Sequence, residues 1–111
     1  MRSAIIAAVA ALLAGCQDSD VSREVGARCD RSSECDDRCL PATDYPGGFC
    51  TTACETRDDC PSGATCADLE GGVCLFSCTT DASCDFLGTG WRCTSADLHG
   101  GGIKVMVCRG V

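Results

Sequence analysis

The chain has 111 residues, nine Lys and Arg against sixteen Asp and Glu, and a formal charge of −7. Such a balance lacks the basic stripe that phosphate backbones recruit and the polybasic cluster that anionic lipid recruits, so neither nucleic acid nor a charge-driven lipid contact is expected. Thirteen cysteines, about 12% of the residues, exceed the roughly 8–10% that marks a disulfide scaffold in a short exported chain. The first element is Met1-Arg2-Ser3, one positive charge, followed by eleven residues without a polar side chain, Ala4 to Ala14. Eleven helical residues cover about 16 Å, well short of the ~30 Å hydrocarbon core that a spanning helix must cross. The segment reads as the apolar region of a signal peptide.

At its end stands Leu12-Leu13-Ala14-Gly15-Cys16. This stretch resembles the lipobox of bacterial lipoproteins: Leu, a free or small apolar position, a small residue, then Cys. The resemblance implies cleavage between Gly15 and Cys16, a diacylglycerol on the Cys16 thiol and acylation of the new amine. Two or three acyl chains anchor stably where one is marginal, since each buried methylene adds about 0.8 kcal/mol. It further implies residence in the outer membrane, facing the periplasm or the cell surface, because Gln17 rather than Asp follows the lipidated Cys. Residues 1–15 are then removed. Arg2 is the one basic residue among them and no acidic residue is lost, so the mature formal charge is −8. That acidity suits a solvated surface on a tethered protein.

Residues 16–28 follow as the lipidated Cys and "QDSDVSREVGAR", polar and free of further cysteines. They read as a flexible tether with a root-mean-square span of about 20 Å. Twelve cysteines remain, an even number compatible with six bridges, and export places them where disulfides persist.

Those twelve repeat in three units of four, 29–53, 54–77 and 78–111, whose first cysteines are Cys29, Cys54 and Cys78. A gap of five residues follows each first cysteine, and "ADLEGG" at 67–72 returns as "ADLHGG" at 96–101. A fixed period with matching residues is the signature of tandem repeats. The gaps "DRSSE", "ETRDD" and "TTDAS" are rich in side chains that bond nearby backbone N–H groups, which favours a single turn over a long helix. Short strands such as "ATCAD" and "WRCTS", a Gly-rich turn and a return strand, "GFCT", "GVCLF" or "IKVMVC", complete each unit. The expected fold class is small and disulfide-rich: three tandem units, each a turn plus a short β-hairpin, with little helix outside the signal peptide. Units of about 25 residues fall below the roughly 40 at which a domain dispenses with staples, so bridges are expected to stand in for a core.

Four cysteines per unit allow three connectivities. First-to-third with second-to-fourth ties the turn to both hairpin strands, whereas pairing neighbours leaves turn and hairpin unattached. The favoured set is Cys29–Cys39, Cys35–Cys50, Cys54–Cys66, Cys60–Cys74, Cys78–Cys93 and Cys84–Cys108. In cysteine spacing and Gly placement, residues 29–108 are similar to small extracellular modules of the EGF, EB and dickkopf-like kind, which often share that order. The whole chain looks like the short cysteine-rich lipoproteins of social gram-negative bacteria.

Other chemistry has few residues to work with. The pairs Cys35/Cys39, Cys50/Cys54 and Cys74/Cys78 have loose zinc spacing, but zinc needs thiolates that an exported chain oxidises. No metal and no other cofactor is expected. His99, the single histidine, sits in a Gly-rich turn and reads as an exposed turn residue. Asp36-Asp37 and Asp58-Asp59 read as solubilising turn residues, and no catalytic residue is assigned.

Unit three carries the apolar surplus: Phe86, Leu87, Trp91, Ile103, Val105, Met106 and Val107. Either Phe86, Trp91, Val105 and Met106 form an exposed contact patch, or Trp91 and the Val strand pack on each other as the largest of three mini-cores. Two functions follow. One is a lipid-anchored binding or structural module with a protein or envelope partner and no catalysis. The alternative is an inhibitor of extracellular proteases, presenting "LPATDYPGG", residues 40–48, as a rigid loop.

Overall fold

The computed structural model describes residues 21–110. The expected signal peptide, Gly15–Cys16 cleavage, lipidation at Cys16 and the first residues of the expected tether lie outside the described residues.

Three antiparallel two-stranded hairpins follow one another: β1 (Arg38–Leu40) with β2 (Phe49–Thr51), β3 (Ala64–Ala67) with β4 (Val73–Phe76), and β5 (Trp91–Asp97) with β6 (Lys104–Gly110). Each hairpin pairs its two cysteines directly across the ladder: Cys39 with Cys50, Cys66 with Cys74, Cys93 with Cys108. A 3-10 turn precedes each one, at Ser32–Glu34, Arg57–Asp59 and Asp81–Leu87.

The same local device builds all three turns. The residue just before the second cysteine folds back and accepts from two backbone N–H groups. Glu34 Oε1 takes those of Asp30 and Arg31 at 2.6 and 3.2 Å. Asp59 Oδ2 takes those of Glu55 and Thr56 at 2.9 and 3.1 Å. Ser83 Oγ takes those of Thr79 and Thr80 at 3.3 and 3.2 Å. These side chains satisfy donors that a short helical turn leaves open. The bonds from Asp30 and Arg31 hold the Glu34 carboxyl below its ordinary pKa, and those from Glu55 and Thr56 do the same to Asp59.

All twelve described cysteines are bridged: Cys29–Cys39, Cys35–Cys50, Cys54–Cys66, Cys60–Cys74, Cys78–Cys93 and Cys84–Cys108. The order is first to third and second to fourth in every unit. One bridge ties the start of the turn to the outgoing strand, the other ties its end to the return strand.

The units also knit to each other by backbone. Cys74 N–H donates to Thr52 O at 3.1 Å, joining units one and two, while the bond from Cys54 N–H to Gly72 O at 3.0 Å closes unit two on itself. Asp68 N–H donates to Asp97 O at 2.8 Å and the His99 backbone N–H to Cys66 O at 2.9 Å, joining two and three. Gly110 N–H donates to Asp44 O at 2.8 Å and returns unit three to unit one. Two glycines permit a close approach inside their own units, where the first cysteine meets the hairpin turn. A Cβ on Gly72, at φ +105°, would stand 2.5 Å from the Cys54 carbonyl oxygen, and one on Gly48 would overlap that of Cys29. Each lies two residues before the last cysteine of its unit.

Two expectations are overturned here. Val21–Arg28, assigned to the tether, is folded. Cys50 N–H donates to Ala27 O and Gly26 N–H to Cys50 O, both at 2.8 Å, and Val25 is fully buried. The Ala27–Cys50 bond repeats the Thr52–Cys74 bond one unit earlier, since each acceptor lies two residues before the unit's first cysteine. The segment thus caps the row of hairpins.

The bridges do not replace a core. Val25, Leu40, Tyr45, Phe49, Val73, Leu75, Phe76, Leu87, Trp91 and Val107 belong to one apolar cluster drawn from the cap and all three units. Phe49 is its hub, with ring centroids 6.2 Å from Tyr45, 6.0 Å from Phe76 and 5.3 Å from Trp91. A unit too small to bury its own aromatic residues buries them against its neighbours.

Candidate functional site

The four residues assigned to one contact patch do not form one. Trp91 is only 6% exposed and packs on Phe49 and Tyr45 of unit one. It belongs to the core, because the first residue of β5 points back toward unit one rather than to solvent. It does not pack as a mini-core of unit three either. Removing Trp91 leaves two separate surfaces.

The first is Phe86 in the third 3-10 turn, 52% exposed. Its ring stands 5.2 Å from that of Phe76, at a steep 68°, so one edge is supported and the rest meets solvent. Asp81 and Asp85 share its turn.

The second is a groove of about 410 Å³ between β3 and β6, lined by Arg57, Gly63, Thr65, Ser77, Val105 and Met106 among others. Met106 is 43% exposed. It occupies the position that Gly48 and Gly72 hold in the other units, two residues before the last cysteine. Its side chain therefore leaves the body where the others have none. Arg57 was not singled out from the sequence, although a signal for it existed. At the same position of units one and three, Ser32 Oγ and Asp81 Oδ1 accept the N–H of the third cysteine, Cys39 at 3.1 Å and Cys93 at 2.9 Å. An arginine cannot accept, so unit two breaks the pattern and directs a cation to the groove.

The loop 40–48 is not displayed as an inhibitory loop. Leu40 and Tyr45 are fully buried. Asp44 and Tyr45 N–H groups both donate to Pro41 O, which winds residues 41–45 into a turn. Burial pushes the Tyr45 hydroxyl pKa up, opposed by the Arg109 guanidinium lying 5.6 Å from the ring centroid. Recognition in a protease cleft needs an extended segment with its side chains outward, and this one turns its largest side chains inward.

His99 is half-buried rather than exposed. Its Nδ1 lies 2.9 Å from Asp68 Oδ1, and a Cβ on Gly72 would approach two of its ring carbons to 3.2 Å. Its N–H donates to Cys66 O, while Asp68 N–H donates to Asp97 O. The two copies of the repeated "ADL" motif thus clasp each other, one from each unit. Among the described residues no hydroxyl or thiol is hydrogen-bonded to that imidazole. Three residues of the acidic pairs have structural partners too: Asp36 faces Arg23 at 3.7 Å, Asp37 Oδ2 accepts the Ala53 N–H, and Asp59 caps its turn. All cysteine sulfurs within ligand-like reach of one another are held in bridges.

The chain is a small disulfide-rich protein built from three serially docked hairpins. No family model, no curated protein and no solved structure matches it.

Proposed function

We propose that the protein is a lipid-anchored extracytoplasmic module of a bacterial envelope that acts as a binding or spacing element, without catalysis. The observation that carries this reading is the set of six bridges in a body of 90 described residues. Disulfides at that density belong to an oxidising compartment, and a leader ending in Leu13-Ala14-Gly15-Cys16 accounts for both export and anchoring. Among the described residues no helix is long and apolar enough to cross a membrane, so lipid on Cys16 would supply the attachment. Gln17 after that cysteine favours the outer membrane. The two surfaces available to a partner are the Phe86 face and the Arg57–Met106 groove.

Intact mass of membrane-extracted protein, with and without reductant, tests the reading. The expected species begins at Cys16, carries acyl mass, and gains two hydrogens for each of six bridges on reduction. A species that keeps residues 1–15, or one lacking lipid, overturns the anchor. Alkylation of the dozen cysteines without prior reduction overturns the scaffold.

A further inference from the structure

We propose that Phe86 rests on the bilayer to which the protein is anchored, so that the module is held on its membrane in one orientation. The inference depends on lipid at Cys16 and adds to it a second, non-covalent contact. Three observations lead there. First, the chain is already packed on the folded body at Val21, eight residues before Cys29. Five Cα steps separate Cys16 from Val21, a reach of at most about 18 Å, so the anchor holds the cap close to the lipid. Second, the cap and Phe86 share one region of the surface. A Cβ on Gly26 would stand 2.8 Å from the Phe76 ring and 3.3 Å from Val21 Cα. The Phe76 ring in turn supports Phe86 at 5.2 Å. Phe86 is therefore two side-chain contacts from the point where the tether enters. Third, Phe86 is a large apolar side chain more than half exposed on a body that buries its other aromatic residues.

A tethered aromatic ring needs little intrinsic affinity, because the anchor keeps it at high effective concentration beside the interface. Ile103 provides an internal contrast. It is 55% exposed but follows the turn beyond Asp97, while Trp91 marks the opposite end of the same strand. Six strand steps between those ends span roughly 20 Å, and Phe86 joins the Trp91 end through Phe76 and Phe49. Asp81 and Asp85 flank Phe86, so the contact is of the apolar, zwitterionic-tolerant kind and anionic lipid weakens it.

The test uses the full lipidated chain in phosphatidylcholine nanodiscs that contain a headgroup-nitroxide lipid, read by paramagnetic broadening of backbone amides. Intact mass first establishes the lipid, so failure of the anchor is seen separately. Amides of Asp85–Leu87 are expected to broaden strongly and those of Ile103–Val105 hardly at all. Phe86→Ser is expected to reduce the broadening at Asp85 and Leu87 to the level of Ile103, and Phe86→Trp to retain it. Ile103→Ser leaves the pattern unchanged. Phosphatidylglycerol in the disc reduces broadening in the Phe86 region. A lipidated protein broadened equally at both ends, or unaffected by Phe86→Ser while retaining all six bridges, overturns the proposal. So does a Phe86 contact that depends on protein concentration and not on the disc, which would mark a second copy as the occupant.

Discussion

The middle and last hairpins have the same bridge order and the same kind of preceding turn, yet they meet solvent differently. All eight strand residues of β3 and β4 are buried. The strands of β5 and β6 are seven residues each, and most of their positions are exposed or half-exposed. Composition does not explain this, since unit three holds more large apolar residues than unit two. Position does. Unit two has a docked segment on each flank: Ala53 bridges to Val73 on one side, and Ser77 to Val107 on the other. Unit three ends the row and meets unit one at the Trp91–Gly110 end of its hairpin, where Gly110 N–H donates to Asp44 O and Trp91 packs on Phe49. A hairpin too thin to have an inside acquires one from its neighbours, and the terminal hairpin keeps a free face for contact.

Burial in β4 makes the contrast measurable as stability. Leu75 is fully buried in β4, and Leu75→Ala should destabilise by about 2–5 kcal/mol through lost transfer energy and a residual cavity. Met106→Ala, in the matching return strand of unit three, removes a side chain that is 43% exposed and should cost under about 1 kcal/mol. Denaturant titration with the bridges intact measures both. Similar losses would mean that the hairpins are energetically alike and that the shared core is not what distinguishes them.

A second contrast concerns sulfur. Cys60–Cys74 and Cys78–Cys93 close segments of 14 and 15 residues, so chain entropy gives them nearly equal weight, about 3 kcal/mol each. Their access differs. In the first bridge only Cys60 is partly open, Cys74 being fully buried, whereas Cys78 and Cys93 are both partly open. Exchange requires a thiolate to reach a sulfur. Limited reduction followed by alkylation and peptide mapping should label Cys78 and Cys93 well before Cys60 and Cys74, although Ser pairs at either bridge lower stability by similar amounts. Label appearing at both bridges together would show that unit two opens as readily as unit three.

Cysteine spacing made the fold class legible, because each bridge constrains neighbours within a short loop and each Gly-rich turn announces itself locally. What the units do to each other was not legible. Val25 is one apolar residue in a polar run, with no periodicity to mark it, and it is buried only because other parts of the chain supply its neighbours. Trp91 reads as a surface anchor or as a mini-core residue within unit three, since its core partners, Tyr45 and Phe49, lie more than forty residues earlier, one inside and one just after the stretch proposed as an inhibitory loop. The groove was half visible. Val105 and Met106 stood out as apolar surplus, but Arg57 is conspicuous only when the three units are aligned position by position.

Aligned position by position, the three turns also differ in how they respond to acid. Glu34, Asp59 and Ser83 hold the same two N–H groups in successive units, but only the first two titrate. Their carboxyls are held below the ordinary range by those backbone bonds. A folded pKa below the unfolded one adds stability that is present above the unfolded value and disappears as pH falls through the folded value. Acid should therefore loosen the turns of units one and two and leave that of unit three intact. Amide chemical shifts report it locally. Asp30 and Glu55 N–H signals are expected to move together with their caps, with midpoints below those of ordinary Glu and Asp, while the Thr79 N–H follows no such transition. Glu34→Gln and Asp59→Asn should abolish the transition in their own unit only. A Thr79 signal that moved with the other two would mean that acid acts on the shared core, so that the turns are read out through it rather than titrating one by one.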